Sequence, residues 1–413
     1  MIEDRLIIKD ILIAQYRSCL DTRFHLHPGL SVLIGPNSSG KTNIMNALFL
    51  LKRLTEETTP FYSRDLEPTG HCKLKATLSI GDIDATLSSD IDTYTDADNT
   101  DIVLTSDQYW TIPRLTGNRK KARLPLALAR EFIRPPDSPF LSYYQRRISL
   151  DALEQVKKQT SPPVRDFLGQ VAQKLAQMRY YSASQFTNPG NCPVSFELER
   201  DEKTTRPGRL TGHAKFLFGL YNCRKHSKSR YSQFMNIIGP DGIGLVDDIY
   251  FKEVSTSSVQ HSVRIGGTVT ERRKRNIIVI PQFKIGKNVL SPNQLSEGTF
   301  KTITLLFYLI TEPSQILLIE EPEVCVHHGL LSSIIELIKT YADLKQIVIS
   351  THSDFVLDMV QPENVYAVTN IAPEGTKVHH IPTRLSANEL NALRNYLQTE
   401  GNLGEYWRAG GLE

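Results

Sequence analysis

Residues 35–42, GPNSSGKT, constrain this chain more than any other part of its sequence. They match the pattern GxxxxGK(S/T) and stand between a run with strand-like alternation and a stretch with helical spacing of apolar residues. In such a loop the glycines let backbone N–H groups turn towards phosphate oxygens, and the lysine and the helix N-terminus add positive charge. The sequence therefore predicts a phosphate-binding loop between a strand and a helix. The residues predicted to contact a nucleotide are Gly35, Asn37, Ser38, Gly40, Lys41, Thr42 and Asn43, with Thr42 also ligating Mg²⁺.

A second motif is the apolar run 316–319, which ends in the adjacent carboxylates Glu320 and Glu321. Open α/β sheets hold their ligands at the C-terminal ends of strands. Glu320 is then placed to hold Mg²⁺ through water, and Glu321 to polarise the attacking water as general base. The alternative is a buried strand with a solvated acidic turn, and the phosphate loop in the same chain favours the first interpretation.

Two further segments carry a family resemblance. The segment 295–299 (LSEGT), ahead of the apolar helix predicted at 300–310, resembles the signature of ABC ATPases, and 351–353 (THS) resembles their switch histidine after the last core strand. In that family the signature serine and glycine contact the γ-phosphate bound to the other protomer. The resemblance assigns this role to Ser296 and Gly298, and a γ-phosphate contact to His352. The alternatives are an ordinary helix cap and a surface histidine.

The spacing of the motifs indicates which branch of the family the chain resembles. About 250 residues separate Thr42 from Leu295, far more than in transporter ATPases. The first 50 residues look like the start of RecF-, Rad50- and OLD-type ATPases, where a turn ending in Arg-Ser precedes the first hairpin. This resemblance places Arg17 near the nucleotide. The run of three glutamates around Pro322 is similar to the OLD-like group, with His327 retained from a turn that Cys325 and His328 alter. The resemblance also implies a glutamine near Mg²⁺, for which Gln185 is the candidate.

The expected fold class is α/β: an ABC-type P-loop NTPase with a mixed N-terminal β subdomain, a parallel core sheet and a compact, mainly helical insert. Strand-like runs over 72–106 extend the N-terminal sheet, and a strand-helix-strand unit spans 315–350. No heptad repeat is sustained long enough for a coiled-coil arm. The predicted domains are residues 1–106 and 257–370 for the two parts of the ATPase domain, 107–256 for the insert and 371–413 for a C-terminal helix and tail.

Basic residues concentrate in three clusters, at residues 119–123, 224–230 and 272–275. Lysine and arginine contacts to phosphates give salt-dependent affinity without sequence preference, which suits a protein that clamps double-stranded DNA. A solvated loop tip is the alternative for each cluster. The residues predicted to contact DNA, at the tip of a hairpin over 257–284, are Arg272, Arg273, Lys274 and Arg275.

Composition narrows the class of protein. No apolar run reaches the roughly 18 residues of a membrane helix, and the N-terminus lacks the basic and apolar regions of a signal peptide, so a cytoplasmic protein is expected. The five cysteines are scattered without a CxxC pair, which argues against a disulfide framework or a zinc site.

The resemblance implies an ATPase that converts ATP and water to ADP and phosphate with Mg²⁺. It would close as an ATP-sandwich dimer or larger homo-oligomer and control a separately encoded effector such as a nuclease. Stand-alone OLD-like ATPases without a Toprim nuclease domain are typical of bacterial antiphage defence. A RecF-like ATPase of DNA repair or recombination is the alternative, and an ATP-gated assembly scaffold with incidental turnover is the second.

Overall fold

The computed structural model describes residues 5–55, 61–63, 70–95, 102–117, 121–131, 154, 157–158, 160–200, 205–207, 212–263, 269–324, 326, 328–399 and 401–408. The chain divides into two compact units. Unit one comprises Met1–Tyr180, Pro313–Glu321 and Ile335–Glu413, and unit two comprises Tyr181–Glu312 and Pro322–Ile334. Among the described residues, no helix is both long enough and apolar enough to cross a membrane.

The elements are numbered in chain order. The strands are β1 (Leu6–Tyr16), β2 (Cys19–His25), β3 (Leu30–Ile34), β4 (Phe61–Ser63), β5 (Gly70–Ile80), β6 (Ile83–Thr95), β7 (Ile102–Thr111), β8 (Lys121–Arg123), β9 (Arg179–Ser182), β10 (Phe196–Arg200), β11 (Thr205–Pro207), β12 (Asp248–Val263), β13 (Val269–Ile285), β14 (Asn288–Leu290), β15 (Ile316–Glu320), β16 (Gln346–Thr351), β17 (Val365–Ile371) and β18 (Gly375–His380). The helices are α1 (Lys41–Arg53), α2 (Pro113–Thr116), α3 (Leu126–Glu131), α4 (Pro162–Ala176), α5 (His213–His226), α6 (Lys228–Ile238), α7 (Glu297–Ile310), α8 (His328–Ala342), α9 (Asp354–Asp358), α10 (Ile381–Arg384), α11 (Ala387–Thr399) and α12 (Leu403–Arg408).

Unit one contains an antiparallel sheet built from the N-terminal strands. Its order is β2-β1-β5-β6-β7-β4, with β8 paired to β7. Strand β5 shows why these residues form a half-buried sheet: Cys72, Leu74 and Ala76 are buried while the residues between them are exposed. The prediction that runs over 72–106 extend the N-terminal sheet is confirmed by the pairing of β5, β6 and β7.

A second sheet has the order β18-β17-β3-β16-β15-β9. Its neighbours β17, β3, β16 and β15 run parallel, and β18 returns antiparallel to β17. Strands β3, β15 and β16 are buried at every position, as expected for central parallel strands covered on both faces. The expected α/β class, with its parallel core sheet and its strand-helix-strand unit, is confirmed.

Helices α1 and α4 share one apolar core with both sheets of unit one. Helix α1 contributes Ile44, Leu48 and Leu51, which lie on one face at helical spacing, and α4 contributes Phe167 and Val171. Burial of such side chains stabilises the unit by about 1.5–3 kcal/mol each. Helix α1, which starts at the phosphate loop, is therefore held firmly in the core.

A buried amide ties β1 to the parallel sheet. The Gln346 side chain accepts the N–H of Ile8 at 2.9 Å and donates to the carbonyl of Ile8 at 2.8 Å. Gln346 is fully buried, so losing either partner would leave a polar group unpaired in the core.

Unit two is built on an antiparallel sheet of order β11-β10-β13-β12, with β14 paired to β13, and on helices α5–α7. The helices interlock through aromatic rings: Phe216 of α5 lies 5.5 Å from both Phe300 and Phe307 of α7, and Phe234 of α6 lies 5.7 Å from Phe307. These edge-on pairs add to the burial of the apolar area.

The observed division differs from the predicted domains. Residues 107–180 lie in unit one because β7 pairs with β6 along ten residues and α4 packs into the core of α1. The rest of the predicted helical insert, residues 181–256, lies in unit two together with residues 257–312, and this unit carries a five-stranded sheet as well as helices. Strand β12 crosses the predicted boundary at 256 because it forms one hairpin with β13.

Candidate functional site

The predicted phosphate loop joins the end of β3 to the start of α1. Ser38 and Gly40 have φ values of 67° and 106°, so the loop turns through left-handed backbone at two points. Lys41 is buried, and its ammonium group donates to the carbonyls of Gly35 and Pro36 at 2.7 and 2.9 Å. The lysine charge is therefore held inside the loop.

The other predicted motifs of unit one lie at the same edge of the parallel sheet. Strands β3, β16 and β15 are neighbours, so their C-terminal ends stand side by side. The phosphate loop follows β3, Glu321 follows β15 and His352 follows β16. The topology thus brings the phosphate loop together with two motifs that lie about 300 residues further along the sequence.

Glu320 ends β15 and is 8% exposed. Its Oε1 accepts a hydrogen bond from the Thr42 hydroxyl at 2.5 Å, and its Oε2 accepts one from the Tyr180 hydroxyl at 2.7 Å. The two residues predicted to hold Mg²⁺ are therefore in direct contact.

Sequence reasoning did not identify Tyr180. It singled out the segment 180–185 for Gln185, whereas the tyrosine at the start of that segment reaches the acidic strand. Burial, followed by the charge of Glu320, raises the pKa of the Tyr180 hydroxyl, which keeps it protonated as a hydrogen-bond donor.

Glu321 and His352 also lie together. The Nδ1 atom of His352 is 3.6 Å from Oε1 of Glu321, and both side chains are more than a third exposed. Glu321 has φ of 49°, and its N–H donates to the carbonyl of Ser350 at 2.8 Å. A glutamate in left-handed backbone is strained by about 1–3 kcal/mol, and such strain concentrates at functional sites.

Arg17 lies in the turn between β1 and β2, with φ of 53°. Its guanidinium donates to the Asn43 side-chain oxygen at 3.3 Å, and the Asn43 amide donates to the Ser18 hydroxyl at 2.7 Å. The turn that carries Arg17 is therefore attached to the first residues of α1, beside the phosphate loop.

Thr376, which no sequence signal pointed to, extends this network. It is fully buried, and its N–H donates to the carbonyl of Ser18 at 2.8 Å. Its hydroxyl lies 2.8 Å from the Ser18 hydroxyl and 3.1 Å from the Ser39 carbonyl. Thr376 thus links the Arg17 turn to the backbone of the phosphate loop.

The hairpin formed by β17 and β18 also explains two glycines of the loop. A Cβ atom on Gly40 would lie 2.1 Å from the Thr376 hydroxyl oxygen, and one on Gly35 would lie 2.2 Å from the Val368 carbonyl oxygen. The glycines predicted for access to phosphate are therefore also required by the close approach of this hairpin.

The signature residues lie in unit two. Ser296 is the exposed N-cap of α7 and accepts the N–H of Thr299 at 3.2 Å, while Gly298 lies in the first turn of that helix. Gln185 lies in a short 3-10 helix, Ala183–Phe186, also in unit two. Their nucleotide contacts stay predictions. Cys325 and His327 fall outside the described residues.

The basic cluster at 224–230 is largely used within unit two. Arg224 packs over the ring of Tyr231, 5.5 Å from its centroid, and donates to the carbonyl of Ile249. Lys225 forms an ion pair with Glu253 at 2.8 Å. Arg224 and Lys225 thus contribute to the fold of the unit, while Lys225, Lys228 and Arg230 are exposed to solvent.

The other two basic clusters are described only in part. Residues 118–120 fall outside the described residues, and Arg123 pairs with Asp107. Residues 272–275 lie in β13, paired with residues 257–260 of β12, and not at the tip of the hairpin as predicted, because the ladder continues to Val263 and Val269. Their side chains are outside what the structure describes, so the DNA contacts of Arg272, Arg273, Lys274 and Arg275 stay predictions.

The donor chemistry at Thr42 and Glu320 fits Mg²⁺. A hydroxyl and a carboxylate are hard oxygen ligands, and Mg²⁺ usually takes few protein ligands because phosphates and water supply the rest. Across the described part of the chain, no group of three or more His, Cys, Asp or Glu side chains could hold a metal by itself. The pair beside the phosphate loop is therefore the place where the described residues fit a nucleotide-bound metal.

Two family models match parts of the sequence. Residues 7–109 match the model described as "AAA ATPase domain", and residues 240–358 match the one described as "AAA domain, putative AbiEii toxin, Type IV TA system". Comparison with curated proteins found no match.

Solved structures similar to the chain include heads of SMC proteins. The SMC head domain from Thermotoga maritima has a TM-score of 0.42 at 11% identity, covering 91% of this chain and 99% of that one. An Smc head bound to the C-terminal winged-helix domain of ScpA scores 0.47 at 11% identity and covers 94% and 99%. An Smc head with an extended coiled coil, bound to the C-terminal domain of ScpA from Pyrococcus furiosus, scores 0.45 at 9% identity and covers 95% and 100%.

The two family-model matches agree with the geometry of the phosphate loop. The first model covers the phosphate loop and the second covers the signature, the acidic strand and His352. The chain therefore carries a P-loop ATPase domain whose matched parts stand on either side of residues 110–239.

Proposed function

We propose that this protein is an ABC-type ATPase subunit that binds and hydrolyses ATP with Mg²⁺. The observation that carries the proposal is the contact between Thr42 and Glu320, which joins the phosphate loop to the acidic strand beside Glu321. A nucleotide site needs a phosphate cradle, metal ligands and a base at one place, and the three parallel strands end there.

Different residues bind the phosphates, hold the metal and activate the attacking water. Backbone N–H groups of the loop and the Lys41 ammonium bind the phosphates, and Arg17 stands beside them through Asn43. Mg²⁺, when bound, would neutralise charge on the β- and γ-phosphates. Glu321 orients the attacking water and takes its proton, and His352, close to that carboxylate, positions it and contacts the γ-phosphate.

Closure of two copies is the second part of the proposal. Ser296 and Gly298 lie at the exposed N-terminus of α7. Backbone N–H groups there can donate hydrogen bonds to an anion that another molecule presents. In this mode ATP binding assembles a dimer or larger homo-oligomer, and hydrolysis releases it. The subunit is then a conformational switch.

The switch controls a separately encoded effector, such as a nuclease, in bacterial defence. The description of the second family model as a toxin of a toxin–antitoxin system supports this part of the proposal, because such a system couples two components.

Glu321→Gln tests the proposal directly. Because the amide keeps the size of the side chain and loses the base, ATP should bind as in the wild type while turnover falls at least about a hundredfold. Release of phosphate, binding of a fluorescent ATP analogue and mass by light scattering are measured together. Glu336→Gln, at an exposed carboxylate of α8, is the matched control.

The outcomes separate the alternatives. An assembly stabilised by ATP in Glu321→Gln supports the dimerising switch. A Glu321→Gln protein that stays monomeric at saturating ATP contradicts the dimer, and biological function that survives without turnover favours the assembly scaffold.

A further inference from the structure

The two oxygens of the Glu320 carboxylate are held by different donors. Thr42 donates to Oε1 from the start of α1, and Tyr180 donates to Oε2 from strand β9. The carboxylate is nearly buried, so its orientation depends on these protein donors rather than on solvent.

Helix α1 holds Tyr180 in place from two directions. The Tyr180 ring lies against the ring of Phe49, with centroids 5.5 Å apart and planes inclined by 56°. Two residues before it, the carbonyl of Met178 accepts a hydrogen bond from the buried ammonium group of Lys52 at 3.1 Å. The hydroxyl of Tyr180 is therefore fixed relative to the helix that begins at the phosphate loop.

The two donors differ in what they can do when a metal binds. The hydroxyl oxygen of Thr42 is itself a predicted ligand: it can bind a metal through a lone pair while its O–H donates to Glu320, so its position depends on the metal as well as on the protein. The phenol of Tyr180 is not a predicted metal ligand. It keeps donating to Oε2 and leaves Oε1 turned towards Thr42. Residues that orient a ligand in this way tune metal affinity without touching the metal.

We propose that Tyr180 is a positioning residue that orients Glu320 towards the nucleotide-bound Mg²⁺ and thereby sets the metal requirement of the site. The inference rests on the proposed function, because it concerns the same nucleotide site. It assigns to β9 a part of the metal chemistry that the sequence placed at Gln185.

Tyr180→Phe removes the hydroxyl and keeps the ring on Phe49. A fluorescent ATP analogue is bound to wild type and variant over a titration of Mg²⁺, and separately in EDTA. The Mg²⁺ concentration for half-maximal tightening of nucleotide binding should rise about tenfold, while affinity in EDTA stays unchanged. The matched control is Tyr181→Phe, whose lost hydroxyl donates to the carbonyl of Lys301 within unit two, and it should leave the Mg²⁺ titration unchanged.

A double variant shows whether Tyr180 acts through Glu320. In a Glu320→Gln background, Tyr180→Phe should add no further shift in the Mg²⁺ titration. An additive shift would overturn the proposal, as would an unchanged titration in the single variant or an equal loss of affinity with and without Mg²⁺. If wild type binds the analogue without any response to Mg²⁺, the proposed function fails first and the role of Tyr180 falls with it.

Discussion

At the residue scale, the site depends on backbone positions that most residues avoid. Glu321 has positive φ, and Gly40 has φ of 106° with no room for a side chain. The first is strained, and its backbone sets the direction of the carboxylate proposed as general base. The second is a glycine for two reasons at once, its dihedral angle and its contact with Thr376.

Gly40→Ala should therefore weaken ATP binding and lower stability more than backbone strain alone would. The new Cβ would lie 2.1 Å from the Thr376 hydroxyl oxygen and 2.9 Å from the Ser18 hydroxyl oxygen, so the loop or the hairpin must move. We expect the affinity for ATP to fall at least about tenfold and the protein to lose about 1–3 kcal/mol of stability. Nucleotide binding and thermal unfolding measure the two effects.

Gly70→Ala is the control for backbone strain. Gly70 has φ of 70°, and no atom of the described residues lies within 4 Å of a Cβ atom built on it, so the substitution tests the dihedral angle without a clash among them. An equal loss of ATP affinity in both variants would contradict the role of the contact with Thr376.

At the element scale, the hairpin of β17 and β18 supports the phosphate loop. It approaches Gly35 and Gly40 and bonds to Ser39 through Thr376. The strand-helix-strand unit and the phosphate loop could be predicted because their periodicity is local. The hairpin contacts could not, since they depend on which strands become neighbours.

Thr376→Val should weaken ATP binding by about five- to tenfold, because it leaves the buried carbonyl of Ser39 without this donor and frees the turn at Ser18. Isothermal titration with an ATP analogue measures the effect. Thr376→Ser keeps the hydroxyl and should restore most of the affinity.

Thr369→Val is the matched control in the same hairpin. The Thr369 hydroxyl is buried and has no hydrogen-bond partner among the residues that the structure describes, so its removal should leave ATP binding unchanged. Equal losses for Thr369→Val and Thr376→Val would show that the hairpin responds to any substitution, against the specific contact with Ser39.

At the scale of the whole molecule, the last described helix, α12, docks beside the segment that carries His352, the predicted switch histidine. Helix α9 starts two residues after His352, and α12 binds to it through Arg408, which pairs with Asp354 at 3.0 Å. The N–H of Gly404 donates to Asp358 at 2.8 Å. Residues near the C-terminus are thus attached to the segment that carries His352.

Asp358→Asn should stabilise the protein at neutral pH. The Asp358 side chain is exposed, but partial desolvation raises its pKa above 3.8, and the charge of Asp354 adds to this, so the folded state binds the proton somewhat more tightly than the unfolded state. The ionised carboxylate therefore costs stability as the pH rises above 3.8, fully so above the folded pKa. Asparagine keeps an acceptor for the N–H of Gly404 and carries no charge.

The expected signature is a melting temperature about 1–2 °C higher at pH 7, with the difference vanishing towards pH 3. Thermal unfolding across this range measures it, with Asp241→Asn at an exposed aspartate as control. A lower melting temperature at pH 7 would mean that attraction to Arg408 outweighs burial.

The sequence by itself determined the local parts of the site: the glycine-rich loop, the acidic end of β15 and the histidine after β16 follow from motif and periodicity. Only the tertiary structure decided that Tyr180 and Thr376 join them. The bond of Tyr180 to Glu320 spans 140 positions, and that of Thr376 to Ser18 spans 358. Such contacts arise when two sheets pack around α1 and bring distant strands side by side, and no short-range pattern encodes that packing.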